Sequence, residues 1–442
     1  MQYNSTLFLF CFLPVFLALY YIVPAKWRNI PLLLGSVFFY WMNIRNSAWM
    51  LIPIVLMVLL SYGAALCVEK QKYRWVVLPA GMTMLTTLVF FKLFSGGKYL
   101  PVGMSFYLFQ TGAYLLSIYH GKMTAERNLL HYFTQIFMFP KLLSGPIVSA
   151  PELQNQTRVR EYSSAEFHLG LQELIIGLAM KVLIANRLGG LWAQAGVAGY
   201  GNISTGFAWL ALIGYAMRLY FDFYGYSLMA VGVGRMLGFR LPQNFDDPYA
   251  SRSVSEFYRR WHITLGAWFR EFIYIPMGGN RNGLGRTIVN LLVVWAVTGL
   301  WHGMGGNYLL WAGIIVFFVI LERLFLSKWL KKSQVLSRIY TVFVILLSWV
   351  PFAIGKWGDM TAFFGRLFGF GTSVNPMDYV NHLRTYAWIL IVVLVFVTPL
   401  PKMLWRKIRE FWAVDILLFI LFWICVYFVA TAAQDPFLYF QY

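Results

Sequence analysis

Long apolar runs dominate this 442-residue chain and limit what it can fold into. They occupy residues 7–23, 30–42, 48–67, 75–92, 101–119, 168–188, 206–232, 288–300, 307–326, 339–356, 386–400 and 414–433. Only helices and closed barrels satisfy every backbone polar group inside a bilayer, and continuous rather than alternating runs are typical of helices. Hydrophobic residues make up 60% of the chain, which is too many for a soluble protein to cover. We therefore predict an all-α polytopic membrane protein with one integral membrane domain over residues 1–442.

The net charge of +19 agrees with a membrane topology. On a soluble protein it would suggest nucleic acid, but Lys and Arg also collect in the cytoplasmic loops of membrane proteins. Basic connections occur at residues 24–29, 70–74, 233–287, 327–338 and 402–409. The charge pattern predicts that these loops lie inside, that both termini are extracytoplasmic, and that membrane lipids rather than nucleic acids surround the chain.

The cysteines argue against a disulfide framework or a metal site. Cys11, Cys67 and Cys425 are odd in number and lie in apolar runs without metal-ligand spacing. The sequence also lacks a Walker motif, G-x-S-x-G and H-E-x-x-H. We predict no metal and no bound cofactor.

The apolar stretch 131–150 is interrupted by several residues that break helices or carry polar groups, among them Pro140 and Ser144. Broken backbone at membrane depth must line a cavity or be buried in protein. We therefore predict a re-entrant segment that supports a channel, with an interfacial loop as the alternative.

Residues 253–275 combine aromatic and basic side chains in a helical pattern. Ser253 and Glu256 form a capping-box signature, and apolar residues such as Trp261 recur at helical spacing behind them. The arginines off this stripe are Arg259, Arg260 and Arg270. The pattern predicts one amphipathic helix at the inner membrane surface, ending before Pro276. Its arginines could bind the phosphates of a donor substrate, or anionic lipid headgroups.

His302 follows the short apolar run 288–300. Thirteen helical residues cover only about 20 Å, so a run that starts at the inner surface would leave Trp301 and His302 within the membrane. An ionisable residue at that depth is a functional candidate, and a neutral imidazole can act as a general base. The alternative is a hydrogen-bonded structural histidine. His262 could be catalytic or could orient a donor, or it could be a surface histidine beside headgroups.

Asp222 lies in an apolar run, four residues after Arg218. This spacing predicts an ion pair on one helix, and its leading role is structural. A buried histidine near a basic inner entrance fits two classes of protein: an acyltransferase that uses a phosphate-bearing donor, and a transporter with a proton-relay histidine. The residues alone leave both open.

Five stretches resemble a known family. They are PVGMSFYLFQ at 101–110, FPKLLSGPIV at 139–148, YFDFYGYSLMAVGVGRMLGFRLPQNFDDPY at 220–249, SEFYRRWHITLGAWFREFIYIPMGGNR at 255–281 and GLWHG at 299–303. The chain resembles the membrane-bound O-acyltransferases, and within them the alginate O-acetyltransferase branch. It is also similar to the teichoic acid D-alanyl transfer proteins.

The resemblance is most specific over 220–303, and it implies a fold and an activity. The fold is a ring of about 11–12 transmembrane helices, with re-entrant and amphipathic helices, around a central channel. The activity is transfer of an acyl group, most simply acetyl, from a cytosolic thioester to hydroxyls of an extracytoplasmic polysaccharide or cell-wall polymer. The donor would be acetyl-CoA or an acyl-carrier protein, used as a substrate, and D-alanyl transfer to teichoic acid is the alternative within the family.

By the same resemblance, His302 and His262 match the two family histidines and are candidate catalytic residues. Trp261 and the three arginines of 253–275 become candidate donor-binding residues. Trp301 and the Arg218–Asp222 pair become candidate channel or structural residues. The family implies a bacterial plasma membrane protein, and an extracytoplasmic acetyltransferase partner of the SGNH hydrolase-like type is expected because the chain has no such domain.

The last eight residues, DPFLYFQY, are similar to the tails of this branch. Tyr439 is a candidate acyl relay to a partner, and its alternative role is an interfacial aromatic anchor.

Overall fold

The computed structural model describes residues 1–94, 100–142, 145–371 and 375–431, and these residues are almost entirely helical. In the first half, the helices are α1 (Leu7–Ile22), α2 (Asn29–Ile44), α3 (Leu51–Glu69), α4 (Val77–Phe94), α5 (Met104–Tyr119), α6 (Leu129–Phe137), α7 (Ala150–Arg158), α8 (Ser164–Ala198) and α9 (Thr205–Met236). In the second half, they are α10 (Val254–Arg260), α11 (Ile263–Phe269), α12 (Gly283–His302), α13 (Gly306–Leu330), α14 (Gln334–Ala353), α15 (Trp357–Leu367), α16 (Asp378–Phe396), α17 (Leu400–Ile408) and α18 (Trp412–Thr431). Within the described ranges, β-pairing is limited to an isolated bridge between Phe245 and Trp261.

Eight of the described helices are long and apolar enough to cross a bilayer. These spans are Ser47–Glu69, Gln71–Leu93, Ser164–Ala198, Gly283–His302, Gly306–Leu330, Gln334–Ala353, Asp378–Phe396 and Trp412–Thr431, and Leu7–Ile22 and Asn29–Ile44 are shorter apolar helices. In the described part of the chain, each apolar run of the sequence overlaps a helix. The prediction of an all-α polytopic membrane protein is confirmed.

Helices α8 and α9 pack closely against each other, and glycine explains how they approach. A Cβ atom on Gly177 would lie 2.5 Å from the backbone oxygen of Gly225, and one on Gly170 would lie 2.5 Å from that of Gly232. The two glycines on each helix are seven residues apart, so they repeat on one face. Small residues at such positions let two membrane helices pack backbone against backbone.

The α8–α9 contact also encloses an ion pair. Lys181 Nζ lies 2.6 Å from Asp222 Oδ1, and both side chains are only 1% exposed. The sequence analysis expected Arg218 as the partner of Asp222, and that pairing stays a prediction. The guanidinium of Arg218 lies beside Gly189, where an added Cβ would come within 2.9 Å of Arg218 Cζ.

The interrupted stretch 131–150 is broken, as predicted. Helix α6 ends at Phe137, a single 3₁₀ turn follows at Phe139–Lys141, and α7 starts only at Ala150. Pro140 is buried in that turn. Lys141 is 1% exposed, and its Nζ donates to Gln110 Oε1 on α5 at 2.6 Å. The segment therefore lies inside the protein, while Ser144 falls outside the described residues.

The predicted boundaries of the run 288–300 are wrong. Helix α12 begins at Gly283, where φ is +80°, and its 20 residues extend to His302. The polar first turn belongs to the helix, and its exposed Arg286 donates from Nε to Met277 O at 3.3 Å. Twenty residues cover about 30 Å, enough to cross a bilayer, so the length of this helix does not place His302 at mid-membrane.

Candidate active site

The stretch around His262 is two helices, and the single amphipathic helix predicted for 253–275 is wrong. Ser253 caps α10 as expected, because its side chain accepts from Glu256 N at 3.0 Å. The helix then stops after Arg260, and a second one, α11, starts at Ile263 and continues as a π-helical turn over Arg270–Tyr274. Helical spacing of apolar residues did not reveal this break because α10 and α11 keep the same buried side.

The break is held by the segment that follows α9. Asp246 N donates to Arg260 O at 3.0 Å, and Ile263 N donates to Asn244 O at 3.0 Å. His262, between these bonds, has φ +46° and ψ +54°, in the left-handed region. A non-glycine residue there costs on the order of 1 kcal/mol and persists where its surroundings hold it. The two flanking bonds therefore fix the position of His262.

The apolar side of this stretch packs on protein, and its position at the inner membrane surface stays a prediction. Phe257, Trp261, Leu265 and Phe269 are all 5% exposed or less. Trp261 stacks on Phe257 with ring centroids 5.5 Å apart. These contacts bury one wall of the site within the protein.

His302, the last residue of α12, is 6% exposed and surrounded by aromatic rings. Its ring centroid lies 4.5 Å from that of Trp301, 4.9 Å from Trp311 and 5.1 Å from Phe352. Interplanar angles of 88° and 79° show that Trp311 and Phe352 meet the imidazole edge to face. Packed aromatic rings, and not helix length, enclose His302.

Trp301 brings the two histidines together. Its ring lies 4.5 Å from that of His302 and 6.5 Å from that of His262. His262 is 4% exposed, and its Nδ1 lies 3.3 Å from Asn244 Oδ1. Burial lowers the pKa of His262 to about 3, so its imidazole is neutral at physiological pH.

Both histidines line one cavity of about 790 Å³. Trp261, Trp295, Trp311 and Trp349 contribute aromatic walls. This volume is within the range of small-molecule sites, which are mostly apolar with a few polar groups. This cavity is the feature of the structure that corresponds to the predicted route from a basic surface to His302.

The outer end of the cavity is cationic. Five exposed basic side chains line it: Arg252, Arg259, Arg270, Arg323 and Lys331. Of the two acidic residues in the lining, Glu256 pairs with Arg260 at 2.7 Å. The other, Glu322, accepts from Val254 N at 2.6 Å and Ser255 N at 3.0 Å, at the start of α10. The carboxylates hold α10 in place, and the cations are left to face a ligand.

The predicted site residues do not all meet at the cavity. His302, His262, Trp261, Arg259 and Arg270 line it. The other predicted residues that the structure describes are Arg260, Trp301, Pro140, Arg218 and Asp222, and they lie outside the lining. Tyr439, like Ser144, is outside the described residues, so its relay role stays a prediction.

Sequence reasoning missed several buried or partly buried polar residues, some beside the site and some in the α8–α9 contact. Lys92 on α4 donates from Nζ to Trp301 O at the end of α12, and Lys181 pairs with Asp222. Both lysines stand in apolar runs, and that was a usable signal because charged residues in such runs are costly. Asn244 and Thr264 gave no comparable signal. Among the described residues, no group of three or more His, Cys, Asp or Glu side chains could hold a metal ion.

The fold and the site together define a multi-pass membrane protein with two buried histidines at the end of a cationic cavity. Residues 124–354 match the MBOAT, membrane-bound O-acyltransferase family. A Pseudomonas putida protein described as "Probable alginate O-acetylase AlgI" is 34% identical over 84% of this chain and 81% of its own length. The peptidoglycan O-acetyltransferase of Helicobacter pylori is 29% identical over 79% of this chain and 76% of its own length. The teichoic acid D-alanyltransferase of Bacillus subtilis is 26% identical over 56% of this chain and 65% of its own length.

The chain belongs to the membrane-bound O-acyltransferase family. The resemblance drawn from its motifs is confirmed, and the protein is a membrane acyltransferase. The matched region includes both histidines and every basic residue that lines the cavity.

Proposed function

We propose that this protein transfers an acetyl group from a cytosolic thioester to hydroxyls of an extracytoplasmic polysaccharide or cell-wall polymer. It would do so in a bacterial plasma membrane, with both termini on the extracytoplasmic side. The observation that carries the proposal is the cavity that connects exposed arginines to His262 and His302.

The shape and charge of the cavity suit a long donor with a phosphate-bearing end. Arg259 and Arg270 would contact donor phosphates at the mouth, because guanidinium groups bind phosphate oxygens with paired N–H donors. Trp261 would pack on the arm that carries the thioester. Acetyl-CoA and an acetylated carrier protein both present such an arm, and either would serve as a substrate rather than a bound cofactor.

The chemistry needs a base at the inner end. His302 would take the proton from the attacking hydroxyl as the hydroxyl oxygen forms a bond to the thioester carbonyl carbon. The carbon–sulfur bond would then break, and the imidazolium would return its proton to the departing thiolate. The aromatic rings around His302 would limit the access of water, which would otherwise compete as the nucleophile.

Acetyl is favoured over D-alanyl by the extent of the similarity. The two relatives named for O-acetyl chemistry align with 84% and 79% of this chain, and the D-alanyltransferase aligns with 56%. D-alanyl transfer is the second candidate, because the D-alanyltransferase is 26% identical to this chain over the aligned region. An extracytoplasmic acetyltransferase of the SGNH hydrolase-like type is proposed as the partner that completes the transfer, with Tyr439 as a covalent relay.

The test is a transfer assay in membranes. Membrane vesicles containing the wild type or His302→Ala would receive radiolabelled acetyl-CoA, labelled acetyl-carrier protein or labelled D-alanyl-carrier protein. We expect labelled ester on the polymer with one acetyl donor and a loss of about 10²- to 10⁴-fold in His302→Ala. Equal amounts of inserted protein, measured by immunoblot, serve as the control.

Two results would contradict the proposal. Full ester formation by His302→Ala would show that His302 is not the base of the reaction. Transport of a proton-coupled solute without any ester formation, lost in His302→Ala, would favour the transporter that the residues alone left open.

A further inference from the structure

A short chain of buried polar groups stands behind His262. Thr264 and Asn244 are 6% and 2% exposed, so each hydrogen bond is shielded from water. Ile147 N donates to Thr264 Oγ1 at 3.0 Å, and Thr264 Oγ1 donates to Asn244 Oδ1 at 2.6 Å. His262 Nδ1 lies 3.3 Å from the same oxygen. These hydrogen bonds link the interrupted segment 131–150, the turn after α9 and His262.

The direction of each bond is given by its donor and acceptor atoms. A backbone N–H can only donate, so Ile147 occupies a lone pair of the Thr264 hydroxyl. That hydroxyl then directs its own proton to Asn244 Oδ1 at 2.6 Å. The amide group of Asn244 points the other way, where Nδ2 donates to Ser227 Oγ at 3.1 Å. Asn244 Oδ1 is therefore fixed as an acceptor.

An acceptor opposite His262 Nδ1 decides where the imidazole proton sits. A neutral imidazole has one N–H and one lone pair, and the group bonded to one nitrogen selects the tautomer. Since Oδ1 has no proton to give, Nδ1 carries the hydrogen. Nε2 is left with the lone pair, on a side chain that lines the cavity.

We infer that Asn244 and Thr264 are positioning residues that hold the proton of His262 on Nδ1, so that Nε2 faces the substrate as a hydrogen-bond acceptor. For its catalytic meaning this inference rests on the proposed function. With a lone pair at Nε2, the neutral His262 cannot donate a hydrogen bond from this nitrogen to the thioester carbonyl, and so it cannot polarise the carbonyl. His262 would instead accept from an N–H or O–H group, such as an amide N–H of the donor arm, and would orient the thioester toward His302.

The variants come in matched pairs. Thr264→Val removes the hydroxyl at nearly constant volume, and Thr264→Ser keeps it. Asn244→Leu removes the acceptor, and Asn244→Asp keeps an oxygen that accepts from Nδ1–H. We expect the first of each pair to lower kcat by roughly 10-fold or more, because a buried partner is left unsatisfied, and the second to stay within about threefold of the wild type.

A spectroscopic measurement separates positioning from general damage. Nitrogen NMR of ring-labelled histidine in nanodiscs, with the His262 signals assigned by their loss in His262→Gln, reports which ring nitrogen carries hydrogen. We expect Nδ1–H in the wild type, in Thr264→Ser and in Asn244→Asp, and a shift toward Nε2–H in Thr264→Val and Asn244→Leu. The melting temperature of each variant shows whether it is folded.

Two outcomes would overturn the inference: Nε2–H in the wild type, or an unchanged tautomer and kcat in a folded Thr264→Val. The tautomer is measured without substrate, so its outcome does not depend on the acyl donor. If the tautomer is as expected but no donor is turned over, the positioning stands and the proposed function fails.

Discussion

The α8–α9 contact and the cavity mouth differ in how their charged side chains are paired and exposed. Between α8 and α9, Lys181 and Asp222 neutralise each other at 2.6 Å, and both are almost completely buried. At the cavity mouth, five basic side chains are exposed, and the two nearby carboxylates are used by α10 itself. The difference indicates that the first region stabilises the fold, and that the second leaves positive charge available to an anionic ligand.

The same contrast appears in the packing. Glycines 170, 177, 225 and 232 bring the α8 and α9 backbones into contact and leave no space between them. Around the histidines, large aromatic rings meet edge to face and enclose about 790 Å³. Changes in the first region should therefore act on stability, and changes in the second on turnover or donor affinity.

The largest effect on stability should come from breaking the buried ion pair. Lys181→Met leaves Asp222 as a buried charge without this partner, and we expect a loss of about 3–5 kcal/mol in the free energy of unfolding. Lys122→Met, at an exposed pair with Glu271, is the matched control and should cost less than about 1 kcal/mol. Thermal or denaturant unfolding in detergent measures both, and similar losses would refute the distinction.

A smaller loss should follow from separating the α8 and α9 backbones. Gly177→Ala places a methyl group 2.5 Å from Gly225 O, and we expect a cost of about 1–3 kcal/mol. Gly63→Ala adds a methyl group where no atom lies within 4 Å and should be neutral or slightly stabilising. The comparison fails if both variants melt at the temperature of the wild type.

At the cavity mouth the effect should appear in the kinetics. Arg259→Gln should lower kcat/KM for the thioester by about 3- to 10-fold, mainly through KM, and high salt should reduce the difference because the site is exposed. Arg260→Gln should change it less, since Arg260 pairs with Glu256 and lies outside the lining. Equal effects of the two substitutions would contradict the conclusion that Arg259, and not Arg260, lines the donor site.

The smallest effect concerns pH. The pKa of His262 is about 3 in the folded protein and 6.5 as its ordinary value, because burial disfavours the cation. Below pH 6.5 the unfolded chain therefore binds a proton that the folded protein does not, and stability falls as the pH falls. Between pH 6.5 and 5.5 this amounts to about 1 kcal/mol.

His262→Asn should remove that part of the pH dependence, and asparagine tolerates the left-handed backbone that this position requires. Unfolding of the wild type and the variant at the two pH values measures the difference. Parallel pH profiles would show that His262 is not buried as described.

Sequence patterns predicted the helical architecture well because hydropathy is a property of long segments. They located both histidines and two arginines of the cavity lining through the motifs around 255–281 and 299–303. They could not predict the left-handed break at His262, because the bonds that hold it come from residues 244 and 246. The start of α12 was missed because its first turn, with the exposed Arg286, has the polar composition of a loop.

Partners from distant parts of the chain were also beyond the sequence patterns. Spacing along one helix predicts Arg218 as a partner of Asp222, but it could not predict Lys181, which the contact between α8 and α9 brings to Asp222. The role of Asn244 depends on three bonds that join separate segments. Such contacts are set by the packing of helices and carry no local signature.

The central claim is that the donor occupies the cationic cavity with its acyl end at the histidines. The most direct test is a cryo-electron microscopy structure of the protein in nanodiscs with a thioether analogue of acetyl-CoA, in which a methylene group prevents transfer. The account predicts phosphate density beside Arg259 and Arg270 and the acyl end next to His302. An analogue bound at another surface, or a His302 side chain that faces lipid, would contradict it.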